Sequence, residues 1–399
     1  MIPPFPVPEN WQWVSFGSIA SVVSNLVDPS RFPDSIHVAP NNIEAGTGNL
    51  LPCAKVSEDG VESPKHSFSA GQILYSKIRP YLAKVVIPEF SGLCSADIYP
   101  IETSIDSRYL WRWMLSEDFT KAVSKHEGRG VLPKINKSAL ATLPVPLPPR
   151  AEQRRIAAVL DQVDSLRVKR RDAILLLDDL VRSIFIEMFG DSRSWPVVDL
   201  KSVASLITKG TTPTSVGLRF TDSGVQFLRV QNIAHGGVDL STGVLYIDEE
   251  SHRVLGRSRV LPGDVLVSIA GTIGRSGLVP PGAAEMNCNQ AVAIVRLLES
   301  VDRRYVLEWL NSPEARQQIA ASSVTGTISN LSLGQLGGLK LPLPPLERQQ
   351  EFARRLSSVD RMRAAHGTHL ATLDELFTSL QHRAFSGTLW DYEASGEAA

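Results

Sequence analysis

Residues 147–153 read LPPRAEQ and residues 343–349 read LPPLERQ, so one short segment occurs twice, 196 residues apart. The similarity continues without a gap at the same offset as far as Phe189 and Phe385. It also extends backward from each segment, through the residues that precede it. A repeat of about 190 residues is far longer than a solenoid repeat. The chain is therefore a tandem duplication of a domain-sized unit.

The composition fits a globular protein with two or three domains. Of the 399 residues, 43% are hydrophobic and 21% are charged, which are ordinary values. The three cysteines lack CxxC spacing, which argues against a disulfide framework or a structural zinc site and indicates a reducing cytoplasm. We expect neither a signal peptide nor a membrane span. The net charge of −1 excludes a uniformly basic nucleic-acid binder, so any such binding would use local patches.

Each unit has the same predicted order of elements. Short apolar runs separated by glycine, proline and asparagine predict strands, with a short helix at 108–125 and again at 304–321. A Pro-Leu-Pro-Pro segment then introduces a long helix, because proline is tolerated at a first helical position. The predicted fold class is α+β, with two globular domains that are each followed by a long helix. The predicted division is 1–145, 146–190, 191–341 and 342–399.

The long helices carry apolar residues at alternating three- and four-residue steps, which is typical of a heptad seam. One such helix cannot bury its seam alone, and its duplicate is the obvious mate. We therefore predict an antiparallel coiled coil. The candidate residues for the helix pair and for partner contacts are Pro149, Gln153, Ile156, Leu160, Val163, Leu177 and Leu180 in the first copy, and Pro345, Gln349, Phe352, Leu356, Val359, Leu373 and Leu376 in the second.

The sequence lacks the motifs of the common catalytic sites. There is no Walker A sequence, no HExxH, no GxSxG and no cluster of histidine and cysteine. The glycines of Gly271-Thr272-Ile273-Gly274 have neither the lysine nor the spacing of a phosphate-binding loop. The pattern predicts a non-catalytic chain.

The duplicated Pro-Leu-Pro-Pro-x-x-x-Gln, followed by a heptad helix, resembles the specificity subunits of Type I restriction–modification enzymes. In the second unit, the segments 209–213, 227–233, 263–266 and 271–274 and the pair Asn289-Gln290 look like the target-recognition domains of that family. The first unit departs from this pattern. It has 77–81 in place of the Gly-Thr-x-Gly turn, and Ser95-Ala96-Asp97 in place of the Asn-Gln pair. These departures indicate that the two domains read different sequences.

The resemblance implies a division of labour in a larger complex. Each domain would bind one half of a bipartite, asymmetric site on double-stranded DNA, and the helices would set the unread spacer. Two methyltransferase (modification) subunits and motor-nuclease (restriction) subunits would be the partners, in the cytoplasm. This chain would bind no cofactor itself, because S-adenosylmethionine, ATP and magnesium would belong to the partner subunits.

Candidate DNA contacts are groups that can donate to phosphates or base edges. In the first unit these are Lys77, Arg79, Tyr81, Lys84, Arg129 and Lys134. In the second unit they are Lys209, Thr211, Thr212, Arg229, Gln231, Asn232, Arg275, Asn289, Gln290, Thr327 and Asn330.

Three alternatives remain open at this stage. The twin domains could hold two copies of another protein as a scaffold that does not bind DNA. The chain could be the targeting subunit of a related nuclease–methylase, which shares the DNA role and differs in its partners. It could also be an enzyme whose site these motifs do not reveal.

Overall fold

The computed structural model of the chain describes residues 5–126, 133–190, 194–234, 236–322 and 330–390. The chain divides into two compact units: unit 1 is residues 1–171 with 368–399, and unit 2 is residues 172–367. This division differs from the predicted one, because each long helix is shared between the two units instead of forming a segment of its own.

Unit 1 contains short strands and helices followed by a long helix. The strands are β1 (Gln12–Ser15), β2 (Ala20–Val22), β3 (Leu26–Val27), β4 (His37–Val38), β5 (Lys65–Phe68), β6 (Ile73–Ser76), β7 (Val85–Val86), β8 (Gly92–Cys94), β9 (Ile98–Thr103) and β10 (Pro144–Leu147). The helices are α1 (Phe16–Ile19), α2 (Val56–Asp59), α3 (Ser107–Met114), α4 (Glu117–Ser124), α5 (Lys137–Thr142) and the first part of α6 (Arg150–Phe189).

Unit 2 likewise contains short strands and helices followed by a long helix. Its strands are β11 (Val197–Asp199), β12 (Ala204–Lys209), β13 (Val225–Leu228), β14 (Ile233–Ala234), β15 (Gly237–Val238), β16 (Leu245–Ile247), β17 (Arg259–Val260), β18 (Val265–Ser268), β19 (Ser276–Leu278), β20 (Met286–Cys288), β21 (Val292–Leu297) and β22 (Lys340–Pro342). Its helices are α7 (Glu249–Val254), α8 (Arg303–Asn311), α9 (Pro313–Ser322), α10 (Leu333–Gly337) and the first part of α11 (Leu346–Ser386).

The first sheets of the two units have matching topology, and the second sheets share three of their four strands, because the fourth strand lies beside β5 in unit 1 and beside β13 in unit 2. Unit 1 has an antiparallel sheet in the order β2-β9-β6-β7, and unit 2 has the equivalent order β12-β21-β18-β19. A second sheet, β3-β5-β8-β4 in unit 1 and β16-β13-β20-β17 in unit 2, contains one parallel pair in each unit. These parallel pairs place Cys94 opposite Val38 and Cys288 opposite Leu228. The predicted α+β class is confirmed.

Each predicted short helix is in fact two helices. The break in unit 1 lies at Ser116, whose hydroxyl accepts the N–H of Phe119 at 3.2 Å and so caps the second helix. Ser312 does the same for Ala315 in unit 2, ahead of Pro313 at the first position of α9. A serine cap satisfies an N–H that would otherwise lack a partner, which favours a new helix start at these positions.

Within each unit the segments of α6 and α11 pack in an antiparallel manner. In unit 1, Ile156 near the start of α6 shares a core with Phe385 at the end of α11. The guanidinium of Arg167 donates to Asp374 at 2.6 Å. Arg167 lies eleven residues after Ile156 on α6, whereas Asp374 lies eleven residues before Phe385 on α11, so the two helices run in opposite directions. In unit 2 the equivalent ion pair joins Arg363 to Asp178. The coiled-coil pairing predicted from the sequence is therefore present within each unit.

The duplicated glutamine ties the Pro-Pro turn to the short helix before it. The amide of Gln153 donates to the carbonyl of Pro148 at 2.8 Å and accepts the N–H of Asp106 at 3.0 Å. Gln349 makes the same two bonds, to Pro344 at 2.7 Å and from Asp302 at 2.8 Å. Both side chains are buried, so these residues stabilise the fold of each unit and are not part of an exposed interface.

Four of the predicted residues lie outside the contact between the helices, so the helix-pair part of their prediction is wrong. Pro149 and Pro345 are exposed, and their carbonyls accept the N–H groups of the first helical turn. Leu180 and Leu376 are 40% and 43% exposed, and the next residue along each helix packs inward instead. The apolar stripe of an α-helix drifts by about 20° per heptad relative to a strict seven-residue repeat, which moves the contact by one residue.

The other predicted seam residues lie on the packed faces of their helices. Leu373 is half-buried in unit 1. The buried positions are Ile156, Leu160 and Val163 in unit 1, and Leu177, Phe352, Leu356 and Val359 in unit 2.

Candidate nucleic-acid interface

The loop between β6 and β7 of unit 1 begins at Lys77 and ends at Lys84. The ammonium of Lys77 donates to the carbonyl of Ala96 at 2.8 Å and pairs with Asp97 at 3.2 Å. Lys77 is half-buried. Its main role in this structure is therefore to hold the base of the loop against the neighbouring strand connection.

Three of the other predicted side chains of unit 1 are exposed. They are Arg79, Lys134 and Tyr81, and 48% of Tyr81 is accessible. Ile78 forms a β-bridge with Lys134, which brings Lys134 beside the loop. Among the residues that the structure describes, none of these three side chains has a hydrogen-bond or ion-pair partner. They are free to contact a ligand.

Lys84 connects this loop to a turn that the sequence reasoning missed. Its ammonium donates to the carbonyl of Pro40 at 2.7 Å. The side chain of Asn42 accepts the N–H of Ala39 at 2.9 Å and fixes that turn, which leaves Asn41 exposed. Asn41 therefore belongs to the same surface. The equivalent turn after β13 in unit 2 places Gln231 at the position of Asn41.

Unit 2 has an equivalent loop between β18 and β19. The bridge between Ala270 and Asn330 repeats the one between Ile78 and Lys134. The carbonyl of Arg275 accepts the N–H of Ser268 at 2.8 Å, as the carbonyl of Lys84 accepts that of Ser76 at 2.9 Å. Lys84 and Arg275 are therefore equivalent, and both are basic. Arg275 is exposed.

The turn after β13 contains three predicted contacts. Gln231 is exposed, and the guanidinium of Arg229 donates to the carbonyl of Gly243 at 2.7 Å. Asn232 is only 1% exposed; its side chain accepts the N–H of Arg229 at 2.9 Å and donates to the carbonyl of Thr242 at 3.0 Å. This burial contradicts the predicted DNA contact of Asn232, which instead fixes the turn as Asn42 does in unit 1.

The end of β12 lies beside the segment after β20. The N–H of Thr211 donates to the carbonyl of Cys288 at 3.0 Å, and the Thr212 hydroxyl donates to the side chain of Gln290. A Cβ at Gly210 would lie 2.0 Å from the carbonyl oxygen of Cys288, so this close approach requires glycine.

The predicted residues around this close approach are partly engaged within the unit. The N–H of Asn289 donates to Leu228 at 3.0 Å, which attaches this edge to the β13 turn, and its side chain accepts the N–H of Ala291 at 3.3 Å. Lys209 and Gln290 are exposed, whereas Thr211 and Thr212 are half-buried. Lys209 and Gln290 are therefore the members of this set that can reach a ligand directly.

A groove of about 950 Å³ joins two of the predicted residues of unit 2, Gln231 and Arg275. Thr272 and Arg316 also line it, and both are exposed. Arg316 lies on α9 and was not predicted, because no local pattern marks it. Cations beside amide and hydroxyl groups are the side chains that bind phosphates and base edges. Two further predicted contacts, Arg129 and Thr327, lie outside the described residues.

Two of the three cysteine thiols, those of Cys94 and Cys288, are buried. The described residues contain no group of three or more histidine, cysteine or acidic side chains placed to hold a metal ion. Burial raises the pKa of the Cys94 thiol to about 12 and that of Cys288 well above its ordinary range, so both remain protonated at neutral pH. Within the same residues, no helix is long and apolar enough to cross a membrane.

Fold and surface together define a duplicated α+β protein with a polar and basic loop cluster on each unit. The family model of the Type I restriction modification DNA specificity domain matches residues 8–175 and 193–374. These two matches cover most of the chain, and the chain belongs to this family. The resemblance inferred from the duplicated motif is confirmed.

Two relatives illustrate the range of similarity. The Type I restriction enzyme EcoDI specificity subunit of Escherichia coli is 45% identical over 187 residues, which are 46% of this chain and 42% of that relative. The putative type I restriction enzyme MjaX specificity subunit of Methanocaldococcus jannaschii is 25% identical over 392 residues, 89% of this chain and 88% of that one. The chain thus matches less than half the length of the first relative and most of the second.

Solved structures share the fold. A chain from a study of complex assembly and conformational transition of the type I R-M system has a TM-score of 0.58 at 21% identity, over 97% of this chain and all (100%) of that one. The Type-I restriction-modification system S subunit from M. genitalium has a TM-score of 0.55 at 13% identity, over 96% of this chain and 99% of that one.

Proposed function

We propose that this chain is the non-catalytic DNA sequence-specificity subunit of a Type I restriction–modification complex. The observation that carries the proposal is the equivalence of the two loop clusters. The bridges at Ile78 and Ala270 have the same geometry and present different exposed residues around them. A bipartite, asymmetric site on double-stranded DNA needs two recognition surfaces that share a backbone arrangement and differ in their exposed side chains.

The shared basic position supports a common mode of holding the duplex. Lys84 and Arg275 are equivalent, and phosphate contacts set the register of a protein on DNA without reading its sequence. Residues that differ between the units, such as Arg79 and Gln231, would read bases. Since the net charge is −1, the overall field of the isolated chain gives little attraction for DNA. We expect tight binding only in the complex.

The long helices would provide the spacer and the surface for the partners. Leu175 and Leu176 on α6 are 62% and 67% exposed, and apolar side chains of this size on a helix favour a protein contact. Two methyltransferase subunits, which carry S-adenosylmethionine, would dock on the helices. Motor-nuclease subunits, which carry ATP and magnesium, would join them. Because the proposed target is cellular DNA, the protein would act in the cytoplasm.

Sequencing of methylated adenines tests the proposal. A methylation-free host would express this chain with the methyltransferase encoded beside it, and the control host would express the methyltransferase alone. One bipartite motif that is methylated only when this chain is present is the expected result. Absence of modification by a folded, S-adenosylmethionine-binding partner would instead favour a scaffold that does not bind DNA. Copurification of a fused nuclease–methylase would identify the related targeting role.

A paired insertion tests the spacer role. One heptad after Arg171 in α6 and one after Gly367 in α11 leave the helix pairing inside each unit intact, because both insertions fall at the unit boundaries. Seven residues add about 10 Å of helix, or about three base pairs of DNA. The methylated motif should gain about three unread base pairs, with both half-sites unchanged. An unchanged spacing would contradict the spacer role.

A further inference from the structure

Arg79 has an unusual backbone conformation for its residue type. Its φ is 47° and its ψ is 55°, in the left-handed region, where a side chain crowds the following carbonyl. The next residue is Pro80, and residues before proline favour extended conformations. The backbone of Arg79 is therefore strained for two independent reasons.

Unit 2 avoids this strain with glycine. Gly271 follows the β-bridge at Ala270 as Arg79 follows the bridge at Ile78, and its φ is 73°. A Cβ added at Gly271 would meet nothing within 4 Å, so the position opens onto free space. The same turn thus forms readily with glycine, and unit 1 has an arginine there in spite of the strain.

The surrounding structure holds the Arg79 backbone in place. Its N–H donates to the carbonyl of Pro133 at 2.9 Å, and its carbonyl accepts the N–H of Leu82 at 2.9 Å. Pro80 is buried. The exposed guanidinium has no hydrogen-bond or ion-pair partner among the described residues. It is a cation presented to solvent from a rigid loop, and it stabilises no contact within the described structure.

We propose that Arg79 determines specificity by reading a guanine in the half-site bound by unit 1, an inference that rests on the proposed function. A guanidinium donates two hydrogen bonds to O6 and N7 of guanine, the commonest base-specific contact. A phosphate contact would not need the strained position, since every duplex offers phosphates and the equivalent turn of unit 2 has glycine there. Arg79 in unit 1 corresponds to Gly271 in unit 2, and the two half-sites of the proposed asymmetric DNA site would differ as well.

Methylated-adenine sequencing of the complete complex separates this inference from the proposed function. The wild-type motif establishes the function first; if no motif forms, the function itself fails. In the Arg79→Gly variant, one guanine of one half-site should become degenerate, with roughly 10- to 100-fold loss of discrimination, and the other half-site should not change. Arg79→Lys should retain part of the preference.

Stability and a matched control complete the test. Arg79→Gly should raise the melting temperature of the chain, because glycine removes the strain, so a loss of specificity cannot result from misfolding. Arg275→Ala should weaken methylation at all sites equally and leave the motif unchanged. The same uniform weakening in Arg79→Gly, or a motif identical to the wild type, would overturn the assignment.

Discussion

The two units share the hydrogen bonds that attach the Pro-Pro turn to the core. They differ in the charge of one buried side chain beside the helix pair. Tyr109 donates to the carbonyl of Pro146 at 2.7 Å, and Tyr305 donates to that of Pro342 at 2.6 Å. The position equivalent to Arg112 in unit 1, however, is Glu308 in unit 2. The duplication has preserved the contacts that attach the turn to the core, whereas neighbouring buried positions have changed even the sign of their charge.

Arg112 and Glu308 sit in different charge clusters. In unit 1 the buried guanidinium of Arg112 donates to Asp161 at 2.7 Å and to Asp164 at 3.0 Å, and it stacks on Trp111 at 4.3 Å from the ring centre. In unit 2 the carboxylate of Glu308 pairs with Arg304 at 3.2 Å. Arg112 bridges two aspartates that also pair with Arg108 and Arg167, and Arg304 likewise bridges Glu308 and Asp360 in unit 2. Arg112 is the more deeply buried of the two bridging arginines, which makes the unit 1 cluster the more sensitive one.

The largest expected effect is therefore that of Arg112→Ala. It removes the buried cation that bridges Asp161 and Asp164, and it should destabilise unit 1 by about 3 kcal/mol, the low end for a broken buried pair, because Arg108 and Arg167 still pair with these aspartates. Urea unfolding of the full chain, followed by hydrogen exchange to assign each transition to a unit, measures the effect. A change under about 1 kcal/mol would mean that solvent and the neighbouring Arg108 and Arg167 compensate.

The next effect on stability tests the hydrogen bonds of the duplicated glutamines. Gln153→Ala and Gln349→Ala each leave a buried carbonyl and a partly buried N–H without partners, which should cost about 1–3 kcal/mol in the respective unit. The same unfolding measurement should give similar values for both, because the two geometries match. Gln162→Ala, on an exposed position of α6, is the control and should have almost no effect. Clearly unequal losses would mean that the duplicated bonds have diverged in energy.

A smaller effect on stability tests whether the turn at Gly271 in unit 2 has the same left-handed constraint as the turn at Arg79 in unit 1. Gly271→Ala adds a methyl group in open space at a φ of 73°, so its cost is purely that of the left-handed backbone, about 1–2 kcal/mol. Thermal unfolding should show a lower midpoint. Gly282→Ala, at another glycine with open space and no positive φ, is the matched control. If both variants melt alike, the backbone of Gly271 is less constrained than its φ implies.

The smallest effect is a pH dependence in unit 2. Burial raises the pKa of Glu308 above its ordinary value, although Arg304 and Arg363 oppose the shift. A carboxyl group with a raised pKa in the folded state adds stability below its unfolded pKa and loses it as the pH rises through the folded pKa. Glu308→Gln should therefore gain stability relative to the wild type between pH 4 and pH 7. A difference that does not vary with pH would exclude this contribution.

Much of the architecture could be predicted because it depends on repetition and periodicity. The long helix predicted within 146–190 is α6, Arg150–Phe189, and the pairing of the helices follows from their apolar stripes. The exposure of Leu180 and Leu376 could not be predicted, because a strict heptad pattern does not follow the drift of a real helix. The division of each helix between the two units depends on contacts that are distant in sequence.

The candidate site was predictable in its residue types and not in its geometry. The cluster from Lys77 to Lys84 was found from its charges, but the left-handed backbone of Arg79 could not be, since the hydrogen bond that holds it is made to Pro133, far along the chain. Asn41 and Arg316 carry no local signal. Asn232 was assigned to DNA because amides bind bases, whereas its burial depends on a loop that only the fold brings close.

The sharing of the helices also has a consequence for synthesis on the ribosome. Ala384 and Phe385 complete the core of unit 1, yet all of unit 2, residues 172–367, is translated before them. At about 5–20 residues per second, the apolar face of the first unit stays uncovered for roughly 10–40 s. During that interval the nascent chain is exposed to aggregation and to capture by chaperones, and a polypeptide terminated after its first half would never close that core by itself.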